Sequence, residues 1–285
     1  MVIVKLWGGI GNQLFQFVFG QYLHYRYNQE VKYDINTYIS VDKLRKREID
    51  AVNNIIEYDA RCIFSRYRGV KNRILRYIFQ LNPKKHFVSE ESEIPSLFQE
   101  GDLYFFQGYW QDIKYYEWLR NNVFDFKIES ILFPKELDLF KEDIIKHVNS
   151  VSLHIRRGDY FLPQNIGVYG VCNSRYYEEA INLIKRIIAD VKIYVFTDDI
   201  EWVKHNIKIG NDYVIIPNYN ISQFAYIELM SLCHHHIISN SSFSWWGAVL
   251  NEKEDAVVVS PDRWTNTSTV TIALDKWTKI SVVNE

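Results

Sequence analysis

His154-Ile155-Arg156-Arg157-Gly158-Asp159-Tyr160, directly after the apolar run Val151-Ser152-Leu153, is the stretch that decides how this chain reads. An extended segment that ends in two arginines, a glycine and an aspartate delivers charge to the edge of a sheet. Open α/β sheets bind ligands in the crevice at the carboxyl ends of their strands. Arginine's planar fork matches phosphate oxygens in bidentate fashion, and Gly158 permits a backbone turn that other residues resist. The segment therefore reads as an anion site, a diphosphate in particular. Taken alone, the same residues read equally well as a surface Arg-Asp ion pair at a strand end. The rest of the chain tips the balance.

Strands with chemistry at their ends recur downstream. Residues 191–196 read as a strand ending in Thr197-Asp198-Asp199, and residues 236–238 as one ending in Ser239-Asn240-Ser241-Ser242-Phe243. Residues 213–217 and 256–260 are further strands. Helices run through Ala180, Ile184 and Ile188 (capped by Asn173 or Ser174), through Trp202 and His205, over 224–233, and from residue 245 to 250. Strands alternating with helices imply a parallel, doubly wound sheet. Three of the charged or hydroxyl-bearing ends then gather on one sheet edge.

Upstream, residues 2–6 read as a buried strand running into Trp7-Gly8-Gly9-Ile10-Gly11-Asn12-Gln13, followed by a helix with apolar positions Leu14, Phe15, Phe17, Val18, Tyr22, Leu23 and Tyr25. The glycines let backbone N–H groups approach an anion, and the helix start adds positive potential. Gly9, Gly11 and Gln13 become candidates for substrate contact. A tight strand-to-helix turn explains the same residues, since neither the full dinucleotide fingerprint nor a phosphate-loop lysine is present. Residues 102–107 read as a strand entering a turn with Tyr109 and Trp110. A helix through Tyr115, Tyr116, Trp118 and Leu119 follows. Pro134 breaks the pattern and divides the chain into domains 1–134 and 135–285.

Composition excludes several classes. A formal charge of -2 over 285 residues argues against a nucleic-acid binder. Cys62, Cys172 and Cys233 are few, odd in number and far apart, so they form no disulfide framework or zinc pattern and suit a reducing, cytoplasmic setting. The opening residues lack a signal peptide's apolar core, and no run of about 18 apolar residues exists to span a membrane. Aromatics are abundant, with 20 Tyr, 17 Phe and 8 Trp; they suit sugar or base stacking but mostly fill cores. Adjacent residues do not share a face, so His234-His235-His236 reads as a helix-to-strand junction and not as a metal site. Residues 31–60 look irregular, with a basic cluster at Lys43, Arg45, Lys46 and Arg47. Residues 61–89 carry eight Lys and Arg, no acid and interleaved apolar residues. That pattern fits a basic amphipathic helix lying on an anionic membrane surface, or an ordinary helix with a solvated basic face.

Four blocks, in order, carry a family resemblance: Gly8-Gly9-Ile10-Gly11-Asn12-Gln13-Leu14-Phe15-Gln16, His154-Ile155-Arg156-Arg157-Gly158-Asp159-Tyr160, Tyr194-Val195-Phe196-Thr197-Asp198-Asp199 and Ser239-Asn240-Ser241-Ser242-Phe243-Ser244-Trp245-Trp246-Gly247. With them the chain resembles the bacterial α-1,2-fucosyltransferases of glycosyltransferase family 11. The resemblance implies a GT-B-like α/β enzyme with two Rossmann-like domains whose parallel sheets face across a cleft, the N-terminal one on the acceptor side and the C-terminal one holding GDP-β-L-fucose. It implies inverting transfer to a galactose-containing glycan acceptor, no cofactor and no metal. Surface polysaccharide building follows from it as an expectation, and the basic segment 61–85 adds peripheral contact with the inner membrane as another. Arg156 is expected to stabilise the leaving diphosphate, with Arg157 assisting it or bracing the turn. Ser241 and Ser242 are expected to bind phosphates at a helix start, Asp198 the guanine or ribose, and Phe243 the base. Asn12 is expected to reach toward the diphosphate or reacting sugar. Asp159 and His154 are the motif's candidate bases. Asp159 can instead orient an arginine, His154 can be a buried structural residue, and the departing phosphate can take the proton itself. The alternatives are fucosyl transfer of another linkage (α-1,6 or α-1,3), another GDP-sugar donor, or a nucleotide- or glycan-binding module without turnover.

Overall fold

The opening apolar run forms β1 (Val2–Lys5), buried along its whole length. The computed structural model describes residues 1–42, 45–52, 56–268 and 271–282, in two units, Met1–Ile131 and Leu132–Glu285. Lys43 of the basic cluster lies outside the described residues. The first unit continues through α1 (Ile10–Tyr27), β2 (Val31–Asp34), α2 (Asn36–Ser40), α3 (Gly69–Gln80), β3 (Lys85–Ser89), β4 (Leu103–Gln107) and α4 (Ile113–Asn122). Its four strands are all parallel, in the order β2-β1-β4-β3. Side chains alternate across a strand, so Ile3 and Phe105 share one face, where Cys62, Phe64 and the α3 residues Leu75 and Phe79 cover them. On the α1 side, Phe19 stacks on Trp110 at 4.0 Å and meets Phe106 edge-on at 5.4 Å.

Two of these strands correct the sequence reading. Residues 31–60 are not wholly irregular, because Tyr33 and Asp34 are buried as β2 pairs with β1. The basic segment 61–89 is not one helix: it holds α3 and then β3, whose leading Lys85 and His86 are tolerated because β3 is an edge strand.

The second unit comprises α5 (Asp138–Lys146), β5 (Ser150–Ile155), α6 (Ile166–Tyr169), α7 (Ser174–Ile187), β6 (Lys192–Thr197), α8 (Ile200–Asn206), β7 (Tyr213–Ile215), α9 (Gln223–Ser231), β8 (His235–Ile237), α10 (Ser242–Val249), β9 (Val258–Pro261) and β10 (Thr278–Ile280). All six strands are parallel, in the order β10-β9-β8-β5-β6-β7. Asn173 caps α7 by accepting from the Tyr176 N–H at 3.0 Å. The apolar stripe of α7 (Tyr176, Tyr177, Ala180, Ile181, Ile184) packs on Val151, Leu153, Ile155, Ile193 and Val195. Each such aliphatic side chain contributes about 1.5–3 kcal/mol when fully buried. The first strand is central: the chain winds outward through β6 and β7, then returns to the other side of β5 through β8, β9 and β10. The winding reverses at β5, and in open α/β sheets ligands bind at that switch point, outside the strands' carboxyl ends.

Candidate active site

Three loops leave the carboxyl edge of the second sheet side by side, from β8, β5 and β6. Register decides which residues meet. The β5–β6 ladder pairs Ile155 with Thr197, so Arg156 and Asp198 come next, and Arg156 Nη1 lies 2.7 Å from Asp198 Oδ2. The second oxygen of Asp198 accepts from the Arg157 backbone N–H at 2.8 Å. Arg156 Nη2 donates to Asp159 Oδ1 at 2.5 Å. The ion pair in the Arg-Arg-x-Asp pattern is thus real, but it belongs to a larger lattice. Both oxygens of Asp198 are engaged, so within the protein it braces the Arg156–Arg157 turn. Gly158 is required for a different reason from the expected turn. It is absent from the glycines with positive φ, and a Cβ there would stand 2.5 Å from Asp198 Oδ2.

Arg157 packs against its own turn. Its guanidinium lies 3.9 Å from the Phe161 ring and 3.9 Å from the Trp202 ring, with Nε 3.4 Å from Asp199 Oδ2. Asp199 caps α8, accepting from the Trp202 N–H at 3.0 Å. Arg157 therefore braces the turn. Arg156 directs two of an arginine's five N–H donors at carboxylates, and its side chain keeps 23% of its surface exposed.

On the other side of β5, Leu153 pairs with Ile237, which carries His154 toward Ser239. His154 Nδ1 and Ser239 Oγ are 2.9 Å apart, and the imidazole lies 5.2 Å from the Phe243 ring. Burial, aided by the nearby Arg156 charge, pushes the His154 pKa down to about 3. A general base works best with a pKa near the operating pH, so the structure supports the alternative of a buried, neutral histidine over the candidate base. Ser241 is also buried, and its Oγ caps α10 by accepting from the Phe243 N–H at 3.3 Å. Ser242 and Phe243, half-buried, follow at the start of the helix. The three consecutive histidines diverge. His234 Nε2 lies 2.8 Å from Asp255 Oδ1, while His236 sits 2.7 Å from each of the Ser152 hydroxyl and the Asn251 amide.

The edge of the first sheet is built otherwise. Gly8 has φ +80, which glycine adopts without strain. Gln13 is fully buried. Its amide nitrogen donates to the Gly8 and Lys46 carbonyls at 2.9 Å each, and its oxygen accepts from the Glu48 and Ile49 N–H groups at 2.9 and 3.1 Å. Two donors and two acceptor positions are all an amide has. Gln13 is thus a saturated clamp on the backbone around it. Gln16 does the same for Trp7, accepting from its N–H at 3.0 Å and donating to its carbonyl at 3.3 Å. Gly11 is buried in the first turn of α1, and Gly9 is the N-cap residue of that helix, with no side chain to cap it. Asn12 stays half-buried, its Oδ1 accepting from Gln111 Nε2 at 2.9 Å.

Several contributors at these edges escaped the sequence reading. Trp7 and Tyr109 stack face to face, 4.4 Å apart and 5° from parallel. Glu90 holds the second ring's turn by accepting from the Tyr109 and Trp110 N–H groups at 2.7 Å each. Below them, burial pushes the Asp34 carboxyl up to about 6 and lowers the Lys5 ammonium. In the second unit, the rings around Arg157 were missed, although arginine's liking for aromatic faces makes Phe161 and Trp202 readable after the fact.

Comparison with known sequences decides the family. The profile of Glycosyl transferase family 11 matches residues 70–281. The chain belongs to glycosyltransferase family 11. Its blocks at 154–160, 194–199 and 239–247 fall inside the match, and the block at 8–16 lies outside it. Alpha-1,2-colitosyltransferase of Escherichia coli is 34% identical over 282 residues, covering 93% of this chain and 92% of that one. The O-antigen biosynthesis glycosyltransferase WbnK of Escherichia coli is 29% identical over 306 residues, covering 95% and 97%. Among solved structures, NodZ alpha-1,6-fucosyltransferase co-crystallized with GDP matches with a TM-score of 0.56 at 13% identity, over 87% of this chain and 91% of that one. The family-11 glycosyltransferase described here is thus an α/β protein with two parallel sheets and a GT-B-like fold.

Proposed function

We propose that this family-11 glycosyltransferase moves L-fucose from GDP-β-L-fucose to the 2-hydroxyl of a galactose in a glycan, with inversion to an α linkage and without a divalent metal. The observation that carries the reading is Arg156, delivered by β5 to the switch point of the second sheet and held between Asp159 and Asp198. As the bond between C1 of fucose and the β-phosphate oxygen breaks, negative charge builds on GDP. A fixed guanidinium beside a helix start offsets that charge where it develops. Arg156 and the first turn of α10 fill those roles, and Phe243 packs against the base. NodZ, whose fold this chain shares, was crystallised with GDP, which favours GDP as the leaving group.

The carboxylates nearest this point favour a metal-free reaction. Asp198 and Asp199 are already engaged by Arg156, Arg157 and α8. Asp159 rests on Arg156, so we assign it to positioning that guanidinium. With His154 weakly basic, the proton of the attacking hydroxyl passes to the departing phosphate oxygen. We assign the acceptor to the first unit, where the Trp7–Tyr109 stack offers a flat face to a sugar ring and the Asn12–Gln111 pair offers amide groups. Three free, buried cysteines favour a reducing cytosol.

The experiment is an acceptor screen with GDP-fucose, with linkage read by NMR. Release of GDP with an α-fucosyl-(1→2)-galactose product supports the reading, and a different linkage or no release with any galactoside contradicts it. One observation favours a second donor. The relative that matches 93% of this chain at 34% identity is a colitosyltransferase, and colitose is fucose without its 3-hydroxyl. A higher kcat/KM with GDP-colitose would transfer the proposal to that sugar.

A further inference from the structure

Helix α3 is apolar on two faces, and among the described residues of the first unit one face is packed and the other is exposed. The inner face is accounted for. Leu75 and Phe79 pack on Phe64 and its neighbours, Asn72 Nδ2 donates to the Phe64 carbonyl at 2.7 Å, and the Arg76 guanidinium lies 4.5 Å from the Phe87 ring. The outer face carries Val70, Ile74, Tyr77, Ile78 and, just past the helix end, Leu81, all 54–66% exposed. At 3.6 residues per turn these five fall within an arc of roughly 100°, on the side away from the packed face. Exposed Lys71 and Arg73 stand at the two margins of that arc, and Arg68 and Lys84, both exposed, flank its ends. Scattered surface apolar residues need no explanation, but a contiguous stripe with a polar rim does.

We propose that the outer face of α3 docks this enzyme on an anionic lipid bilayer. Charge complementarity selects the occupant. Residues 61–89 contain eight Lys and Arg and no Asp or Glu, so the rim of the stripe is cationic on both margins. A second copy docking by a two-fold axis would set this rim against itself, like charge against like. A bilayer with anionic headgroups offers an apolar interior under a negative surface, which matches stripe and rim together. Among the described residues no helix is long and apolar enough to cross a membrane. At 12 residues, α3 would lie in the plane of the interface.

The test is co-sedimentation of the full chain with phosphatidylcholine vesicles, with and without phosphatidylglycerol, at low and high salt. The wild-type protein sediments with the anionic vesicles, and salt weakens the binding. Lys71→Gln with Arg73→Gln lowers the partition constant about 30-fold, some fivefold for each charge. Ile74→Ser with Ile78→Ser lowers it by more than about tenfold, from the buried apolar surface lost. All four positions are exposed, so the variants fold, and turnover of a soluble acceptor stays as in the wild type. Failure of the wild type to bind anionic vesicles overturns the proposal, as does unchanged binding by the Ile pair. A dimer in sedimentation velocity that the Ile pair dissociates would make the occupant a second copy. A raised acceptor KM with unchanged vesicle binding would make the face part of the acceptor site.

Discussion

The first strand of each unit ends in one of the sequence blocks that carry the family resemblance, yet the two ends are put to opposite uses. After β1 the two glutamines turn inward, while Asn12 stays half-buried. Gln13 and Gln16 bond the backbone around them, and Gln13 has no position left for a ligand. After β5 the polar side chains turn toward one another at the rim of the sheet. Asp159 and Asp198 hold Arg156 by two of its donors, and its other N–H groups are those we assign to the diphosphate. A block at a strand end is thus scaffold where its hydrogen-bonding capacity is met and buried, and chemistry where a charge is held in place but not used up.

The sharpest way to break this comparison is to remove one member from each end. Arg156→Ala should lower kcat by about 10²–10³, the size of one lost electrostatic donor at a developing charge, with little change in melting temperature. Arg156→Lys should recover only part, because the planar fork is lost. Near wild-type turnover in Arg156→Ala would take the residue out of the reaction. Gln13→Ala should do the reverse. It removes four hydrogen bonds to buried backbone and should cost about 2–4 kcal/mol of stability in denaturant unfolding, while the folded enzyme turns over nearly as before. A fall in kcat without a fall in stability would return Gln13 to the substrate.

Acidification separates the units in a third way. His154 and His236 are buried, which pushes each pKa down to about 3. The unfolded chain therefore takes up protons first as pH falls below about 6.5, and the second unit should lose about 2 kcal/mol per histidine between pH 7 and pH 5. Asp34 in the first unit has the opposite sign. Burial raises its folded-state pKa to about 6, so the folded state takes the proton first, and this carboxyl should add about 1 kcal/mol over the same interval. Hydrogen exchange at the two pH values, resolved by unit, reads the difference; equal loss in both would refute it. The smallest effect expected is that of EDTA. Activity should be unchanged, because the Asp198-Asp199 pair is bound to arginines and a helix start. Abolition with rescue by Mn²⁺ would point to a metal at that pair instead.

Much of the second unit was legible because hydrophobic runs and chemistry coincide there. The runs before Arg156, Thr197 and Ser239 are short and apolar, and each ends in residues that punctuate. The first unit hid more. β2 reads as Val-Lys-Tyr-Asp and β3 opens on Lys85-His86 inside a basic tract, so neither shows an apolar run. Tertiary pairing, not local composition, makes them strands. In the candidate site, Arg156 was legible from residue type and position. Its contact with Asp198 was not, since it depends on the register that sets Ile155 beside Thr197. The saturation of Gln13 was hidden for the same reason, since its partners at Lys46, Glu48 and Ile49 are more than 30 residues away.

In the proposed reaction Arg156 holds the diphosphate, while the equally motif-borne Gln13 does not touch it. Titration calorimetry of GDP into the wild type, Arg156→Ala and folded Gln13→Ala tests that directly. The prediction is a Kd weakened at least about tenfold by Arg156→Ala, the worth of a charge-assisted hydrogen bond to phosphate, and a Kd unchanged by Gln13→Ala. Wild-type affinity in Arg156→Ala, or a matching loss in Gln13→Ala, would contradict it.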